Sequence, residues 1–234
     1  MTETTPFFTV RWLGCLIVTL MLQGSALCQP KLQVSSASPP FNTLNPQTPQ
    51  DLRELFRYTG DRMPLVSAHR GGARPGFPEN CVETFENTLR HAFAILEIDP
   101  RRTKDDEIVV IHDSTLERTT TGNGRVAEWT LSELKTLRLK DPEGAVTEFL
   151  IPSLDEVLQW ARGKTVLVLD QKDVTLGERV KKIEEFQAES YTMVIVYSYK
   201  DARKCYELNN TIMMEVMIPN RRKFAEFEKA NIPW

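Results

Sequence analysis

Histidine and cysteine are both scarce here, three and four residues in a chain of 234, and each scarcity narrows the chemistry. Cys15 and Cys28 fall within the first thirty residues, which leaves Cys81 and Cys205 for the rest of the chain. Their separation gives no support to metal ligation by thiolate. An oxidising compartment would permit a bridge between them, but the expectation is two unpaired, buried thiols. Long apolar runs are missing too: the uncharged stretch 12–22 is shorter than the roughly 20 apolar residues that a bilayer span requires. No excess of charge of one sign is present. The net charge is −3 and acidic and basic residues are interspersed, so neither the basic face of a nucleic-acid binder nor a polybasic membrane patch is available. With 41% hydrophobic and 26% charged residues, disorder is excluded as the state of the whole chain.

What is present begins with a leader-like segment. Arg11 precedes the apolar stretch, and Gln23-Gly24-Ser25-Ala26-Leu27-Cys28 follows it. A charge, a short apolar core and then small residues are the order of a secretory signal peptide, expected over 1–28. Export to the periplasm or the exterior follows as an expectation, with membrane anchoring disfavoured because Leu27 stands where a lipoprotein signal wants a small residue. Residues 29–63 read as a polar linker and a helix over 51–58 that closes at Gly60. From 64 to 234 the pattern changes to one large domain. Strand-length apolar runs (65–69, 94–99, 107–112, 165–170, 192–199 and 212–218) alternate with amphipathic helical stretches (81–93, 153–161, 176–188, 200–208 and 221–229). Such alternation argues for βα units and a parallel sheet. Residues 113–152 are too long for a simple connection and read as a lid-like insertion.

The ionisable residues sit where the apolar runs end. Two of the three histidines, His69 and His112, close strand candidates. In Leu96-Glu97-Ile98-Asp99 the side chains alternate, so Glu97 and Asp99 share one face. Asp170 closes another run, with Lys172 two residues on. In a parallel barrel those C-terminal ends converge on one rim, where such residues read as catalytic. Three carboxylates, Glu97, Asp99 and Asp170, in a partly dry mouth call for a cation, and an all-oxygen set suits Mg²⁺ or Ca²⁺ rather than zinc. His69 and His112 suit proton transfer near neutral pH, while Arg70 and Lys172 supply charge for an anionic oxygen. The combination describes phosphoryl chemistry better than glycoside or peptide hydrolysis.

Each residue taken singly has a plainer reading. A strand-end histidine is usually structural, and a Glu-x-Asp pair is more often a solvated edge than a metal site. Asn80 could simply cap the following helix. His91 reads as a surface residue, Gly122-Asn123-Gly124 as a turn, and the Lys/Glu-rich run 178–185 as a solvated helix face. Their joint occurrence at successive strand ends is what the plain readings do not explain.

The ordered set His69-Arg70-Gly71-Gly72, Pro78-Glu79-Asn80, Glu97-Ile98-Asp99, Arg102-Thr103-Lys104-Asp105 and His112-Asp113 resembles the signature of the glycerophosphodiester phosphodiesterase family. Leu116-Glu117-Arg118-Thr119-Thr120, Gly122-Asn123-Gly124 and Ile151-Pro152-Ser153-Leu154 extend the likeness over about 64–218. The resemblance implies an α/β fold, a TIM-type (β/α) barrel, with a divalent cation on Glu97, Asp99 and Asp170. It implies His69 and His112 as the acid–base pair, Arg70 and Lys172 on the phosphate and Glu79 near the substrate. The substrate would be a small-molecule phosphodiester, cleaved to an alcohol and glycerol 3-phosphate. This sequence departs from the pattern at Asp170, where the family usually has Glu, and at Cys81, where Thr is usual. Six strand candidates against the eight of a complete barrel give the expectation of an incomplete barrel, about six of eight βα units: a fragment, a chain completed by a partner, or a degenerate member. Two alternatives follow: a phospholipase D-like or lysophospholipase activity on the same barrel, and a non-catalytic, incomplete barrel that binds phosphate esters.

Overall fold

The computed structural model describes residues 41–57, 60 and 64–229. The expected signal peptide, the first part of the linker and residue 58 of the first helix lie outside the described residues. The described helices are α1 (Pro49–Phe56), α2 (Val82–His91), α3 (Leu131–Leu134), α4 (Leu154–Ala161), α5 (Leu176–Glu185), α6 (Tyr199–Leu208) and α7 (Arg221–Lys229). The strands are β1 (Val66–Ala68), β2 (Ala94–Ile98), β3 (Pro100–Arg102), β4 (Ile108–Val110), β5 (Leu167–Leu169), β6 (Thr192–Val196) and β7 (Met213–Val216). Local chemistry marks the helix starts. Thr48, Thr130, Ser153 and Thr175 each form a capping box with the acidic residue three positions on, satisfying orphan backbone N–H groups for about 1 kcal/mol apiece.

Five strands form one parallel sheet in the order β1-β2-β5-β6-β7. The period-2 alternation of side chains divides its residues between two faces. Ala94, Leu96 and Ile98, with Leu167, Leu169, Val194 and Val196, join a core cluster with the apolar stripes of α2, α4 and α5 and with Ala202 and Cys205 of α6. Ile95, Val166, Val168, Met193 and Ile195 cluster instead with Leu44 and Leu52. Helix α1 therefore covers the second face, and its Leu52 is wholly buried, a burial worth about 1.5–3 kcal/mol.

The strand expected over 107–112 does form, but not in the parallel sheet. β4 pairs antiparallel with β3, Arg101 opposite Val109. Only the turn 103–107 joins them, whereas a parallel crossover takes a dozen residues or more. Alternation still operates on this ribbon: Ile108 and Val110 enter the main core, while Val109 and Ile111 enter a second one. That second core gathers Leu116, Val126, Leu134, Leu139 and Ile151 from the 113–152 stretch, with Cys81. Cys81 and Cys205 are free and buried, and burial pushes the Cys81 thiol up to about 12 and the Cys205 thiol up to about 11.

The 178–185 run departs from its expected solvated face at one residue. Arg179 is only 1% exposed and donates to the carbonyls of Leu169 at 3.0 Å and Ile195 at 3.2 Å, so a guanidinium ties β5 to β6 at their C-terminal ends.

Candidate active site

The second sheet face turns from apolar to acidic within one step of two residues. Ile95 is followed on the same face by Glu97 and Asp99, and Val168 by Asp170. These carboxylates are 9%, 0% and 7% exposed, and one oxygen of each lies within 4.8 Å of the others. Asp99 is held by Asn80, whose side chain donates to Asp99 Oδ2 at 2.7 Å and accepts from the Asp99 N–H at 3.2 Å. Asn80 is thus no helix cap: the N-cap of α2 is Cys81, which makes no side-chain capping bond. Lys172 pairs with Asp170 and lies 3.0 Å from Asp99 Oδ1. That oxygen is buried, and among the described residues the Lys172 ammonium is its charged neighbour. Tyr197, two residues beyond Ile195, donates its hydroxyl to Asp170 Oδ1.

Charge is unevenly compensated among the three. At Asp170 burial acts to raise the pKa, but the bonds from Lys172 and Tyr197 outweigh it and the carboxyl falls below its usual range. Among the described residues Glu97 forms no ion pair, and Lys172 acts on it only at a distance. Burial, and after it the neighbouring Asp99, pushes it up to about 7, and it accepts a hydrogen bond from the Arg70 N–H at 2.8 Å. Three oxygen donors this close, one held neutral-prone by its neighbours, fit a hard divalent cation of the Ca²⁺ or Mg²⁺ type.

Arg70 reaches this position through strained backbone. It follows β1 in a one-turn helix at φ 51°, ψ 34°, the left-handed region that costs an L-residue roughly 1–2 kcal/mol. The turn is fixed by the bond to Glu97 and by the Asn80 N–H on the Arg70 carbonyl at 2.9 Å. Gly71 beside it has φ +81°, and a Cβ there would stand 2.2 Å from the Phe85 ring, so only glycine fits.

The Arg70 guanidinium lies 3.1 Å from Glu79 and 3.9 Å from Asp99. Glu79 also accepts a two-pronged bond from Arg118, at 2.7 and 2.9 Å. Arg118 continues to Asp113 at 2.6 and 2.9 Å, and Asp113 Oδ1 lies 2.7 Å from His112 Nδ1. Burial acts to raise the Glu79 pKa, yet Arg118 and then Arg70 bring it below its ordinary value. The Arg118 fork, against burial and helped by His112, holds the Asp113 carboxyl well below the usual carboxylate range. His69 is exposed at the end of β1 and, with Arg70 and Glu79, lines a cavity of ≈ 510 Å³. A second cavity of ≈ 380 Å³ opens on the other side of Glu79, against Arg118 and Lys140–Gly144.

All eight residues singled out in the sequence are thereby placed. Glu97, Asp99, Asp170, Arg70, Lys172 and Glu79 form one contact network, His112 joins it through Asp113 and Arg118, and His69 is next in chain to Arg70. The reading by strand ends missed four residues. Tyr197 could have been found by alternation from Ile195. Asn80, Asp113 and Arg118 carry no periodic signal of their own, because loops bring them in.

Residues 69–217 match the model of the Glycerophosphoryl diester phosphodiesterase family. A glycerophosphoryl diester phosphodiesterase of Parabacteroides distasonis, solved by crystallography, is 47% identical with a TM-score of 0.81, covering 83% of this chain and 68% of that one. A glycerophosphodiester phosphodiesterase of Caldanaerobacter subterraneus subsp. tengcongensis is 34% identical over 154 residues, 60% of this chain and 62% of that protein. An Oleispira antarctica phosphodiesterase, solved in complex with the product sn-glycerol-3-phosphate, shares the fold at 22% identity and a TM-score of 0.56, covering 71% of this chain and 72% of that one. The matched regions thus span between 62% and 72% of these relatives' lengths. The parallel sheet and its flanking helices are those of a TIM-type (β/α) barrel, to which the described residues give five parallel strands. With a family match that takes in both ends of the site, from His69 to the last strand, this chain belongs to the glycerophosphoryl diester phosphodiesterase family.

Proposed function

We propose that this protein hydrolyses glycerophosphodiesters to an alcohol and glycerol 3-phosphate, with a divalent cation on Glu97, Asp99 and Asp170 and with His69 and His112 as acid and base. The observation that carries the reading is the convergence of those three carboxylates within 4.8 Å, with Arg70 and Lys172 against them. Bound there, Ca²⁺ or Mg²⁺ would withdraw charge from the phosphoryl oxygens.

The chain's own groups do the rest. Arg70, aimed by Glu79, and Lys172 bind the phosphodiester anion as charged donors. Asp113 fixes the His112 ring by its Nδ1, so that Nε2 is the nitrogen turned to the reaction. One histidine takes the proton from the attacking hydroxyl, and the other gives a proton to the departing alkoxide as its P–O bond breaks. An attack by the glycerol hydroxyl would give a cyclic phosphate, which water then opens by the same pair in reversed roles.

The test is release of glycerol 3-phosphate from glycerophosphocholine and glycerophosphoethanolamine with Ca²⁺, with Mg²⁺ or with a chelator. Release that the chelator abolishes supports the reading. Release unaffected by it removes the cation, and no release under any condition counts against the activity. A second reading, lysolipid cleavage, is favoured by Tyr197 and Met217, 50% and 46% exposed at the C-terminal ends of β6 and β7, which give one wall an apolar lip. Lysophosphatidylcholine cleaved faster than glycerophosphocholine would establish it. Export is part of the proposal, on the leader-like order of residues 1–28, and a mature N-terminus beyond residue 28 would support it.

A further inference from the structure

Arg118 belongs to a motif that the chemistry above leaves without work. Its guanidinium makes four hydrogen bonds of 2.6–2.9 Å to two carboxylates, two to Glu79 and two to Asp113. Those carboxylates lead in opposite directions. Glu79 continues to the Arg70 guanidinium at 3.1 and 3.2 Å. Asp113 continues to His112 Nδ1 at 2.7 Å. The result is an alternating chain, Arg70–Glu79–Arg118–Asp113–His112, running from the phosphate-binding cation to one of the two histidines. Its members come from three separate segments: the turn after β1, the loop before α2, and the stretch that follows β4.

We propose that Arg118 is a positioning residue for His112, which it orients by holding Asp113 on one edge of its planar guanidinium while Glu79 anchors the other edge. The proposal rests on the phosphodiesterase reading for the role of His112. A guanidinium is rigid and presents its donors in a fixed fork, so the angle between the two carboxylates is set by the ion itself. A lysine, with one compact ammonium on a flexible stem, cannot hold both in a defined plane. The Arg118 side chain is 49% exposed, and an exposed ion pair contributes little to stability. Four bonds on a half-exposed cation therefore do more for geometry than for folding.

The plain alternative is a surface ion pair that merely tacks the start of the insertion to the loop before α2. Orientation and tacking differ in what they couple. If Arg118 acts on His112 through Asp113, then once Asp113 cannot respond, removing Arg118 as well costs little more.

The experiment uses the full chain and four variants, R118A, R118K, D113N and R118A/D113N, with glycerophosphocholine as substrate and Ca²⁺ or Mg²⁺ present. R118A is expected to lower kcat on the order of 10–100-fold, part of the ~10²–10⁴ that a positioned acid–base group supplies, with thermal unfolding nearly unchanged. R118K should recover little of that loss, guanidinium ion added to R118A should recover more, and R118A/D113N should be no more than about threefold slower than D113N. In parallel, nitrogen-15 spectra of the His112 ring should show a hydrogen-bonded Nδ1–H in wild type that R118A weakens. R118A within twofold of wild type, or losses that multiply in the double variant, would overturn the proposal. A wild type inactive on every diester would count against the phosphodiesterase reading alone. The His112 spectrum then decides for Arg118, and a ring signal unchanged by R118A overturns it.

Discussion

Two layers of the same sheet face lie two residues apart and are opposite in character. The lower one, Ile95, Val168 and Ile195, is apolar and packs on the side of Leu44 and Leu52. The upper one, Glu97, Asp170 and Tyr197, is polar, with Asp99 a step further on, and its members bond to one another, to Lys172 and to Arg70. Identical backbone geometry serves both, since alternation sends every second side chain to this face. What differs is what covers them. The lower layer gains by leaving water under a helix. The upper one keeps three acids out of water, a cost that only counter-charge offsets. On the proposed function, stability is therefore made in one layer and chemistry in the other, and substitutions in the two should act on different observables.

The widest separation is expected for the histidines. His69→Ala and His112→Ala should each lower kcat by about 10²–10⁴-fold while the urea midpoint stays near wild type. Steady-state kinetics beside an unfolding curve measures both, and normal turnover in either variant removes that histidine from the acid–base pair. The complementary change is Leu52→Ala below. It should cost about 2–5 kcal/mol of stability with kcat per folded molecule little changed. A loss of kcat at full folding would mean that the two layers are not independent.

The third prediction sharpens the comparison through pH. Glu97 titrates near 7 in the fold against an ordinary value of 4.5, so between those values the folded chain holds a proton that the unfolded chain has released. Stability of the cation-free protein should then fall as pH rises through that window. Glu97→Gln should flatten this dependence. Asp113 runs the other way: its depressed pKa contributes stability that is present above the ordinary Asp range and lost as pH falls below it. Thermal unfolding from pH 4 to pH 8 reads the first and its extension down to about pH 2 the second, and a slope unchanged in the Gln variant would place the Glu97 titration elsewhere.

The upper layer was legible in the sequence wherever rigid strands carry it. Glu97, Asp99 and Asp170 follow from alternation and from the ends of apolar runs, and the lower layer from the same rule. The strand at 107–112 was found but misassigned in partner, because an apolar run does not state what it pairs with; the short 103–107 turn that forbids a parallel crossover was the available clue. Asn80 looked like a cap because Asn caps helices well. Its bonds to Asp99 span nineteen positions, and no local pattern encodes a partner at that distance. Arg118 was visible only as a letter in a motif, since its two carboxylates come from loops. Arg179 looked solvated beside its Lys and Glu neighbours, yet its burial is decided by the β5 and β6 carbonyls it meets.

The claim that the upper layer is built for a divalent cation is tested most directly by calorimetric titration of Ca²⁺ and of Mg²⁺ into the wild-type chain near pH 7, in two buffers of different ionisation heat. Saturable binding at one site, with protons released as Glu97 gives up its own and with Glu97→Gln abolishing both, is the predicted result. No saturable binding by either ion, or binding that Glu97→Gln leaves unaltered, would contradict it.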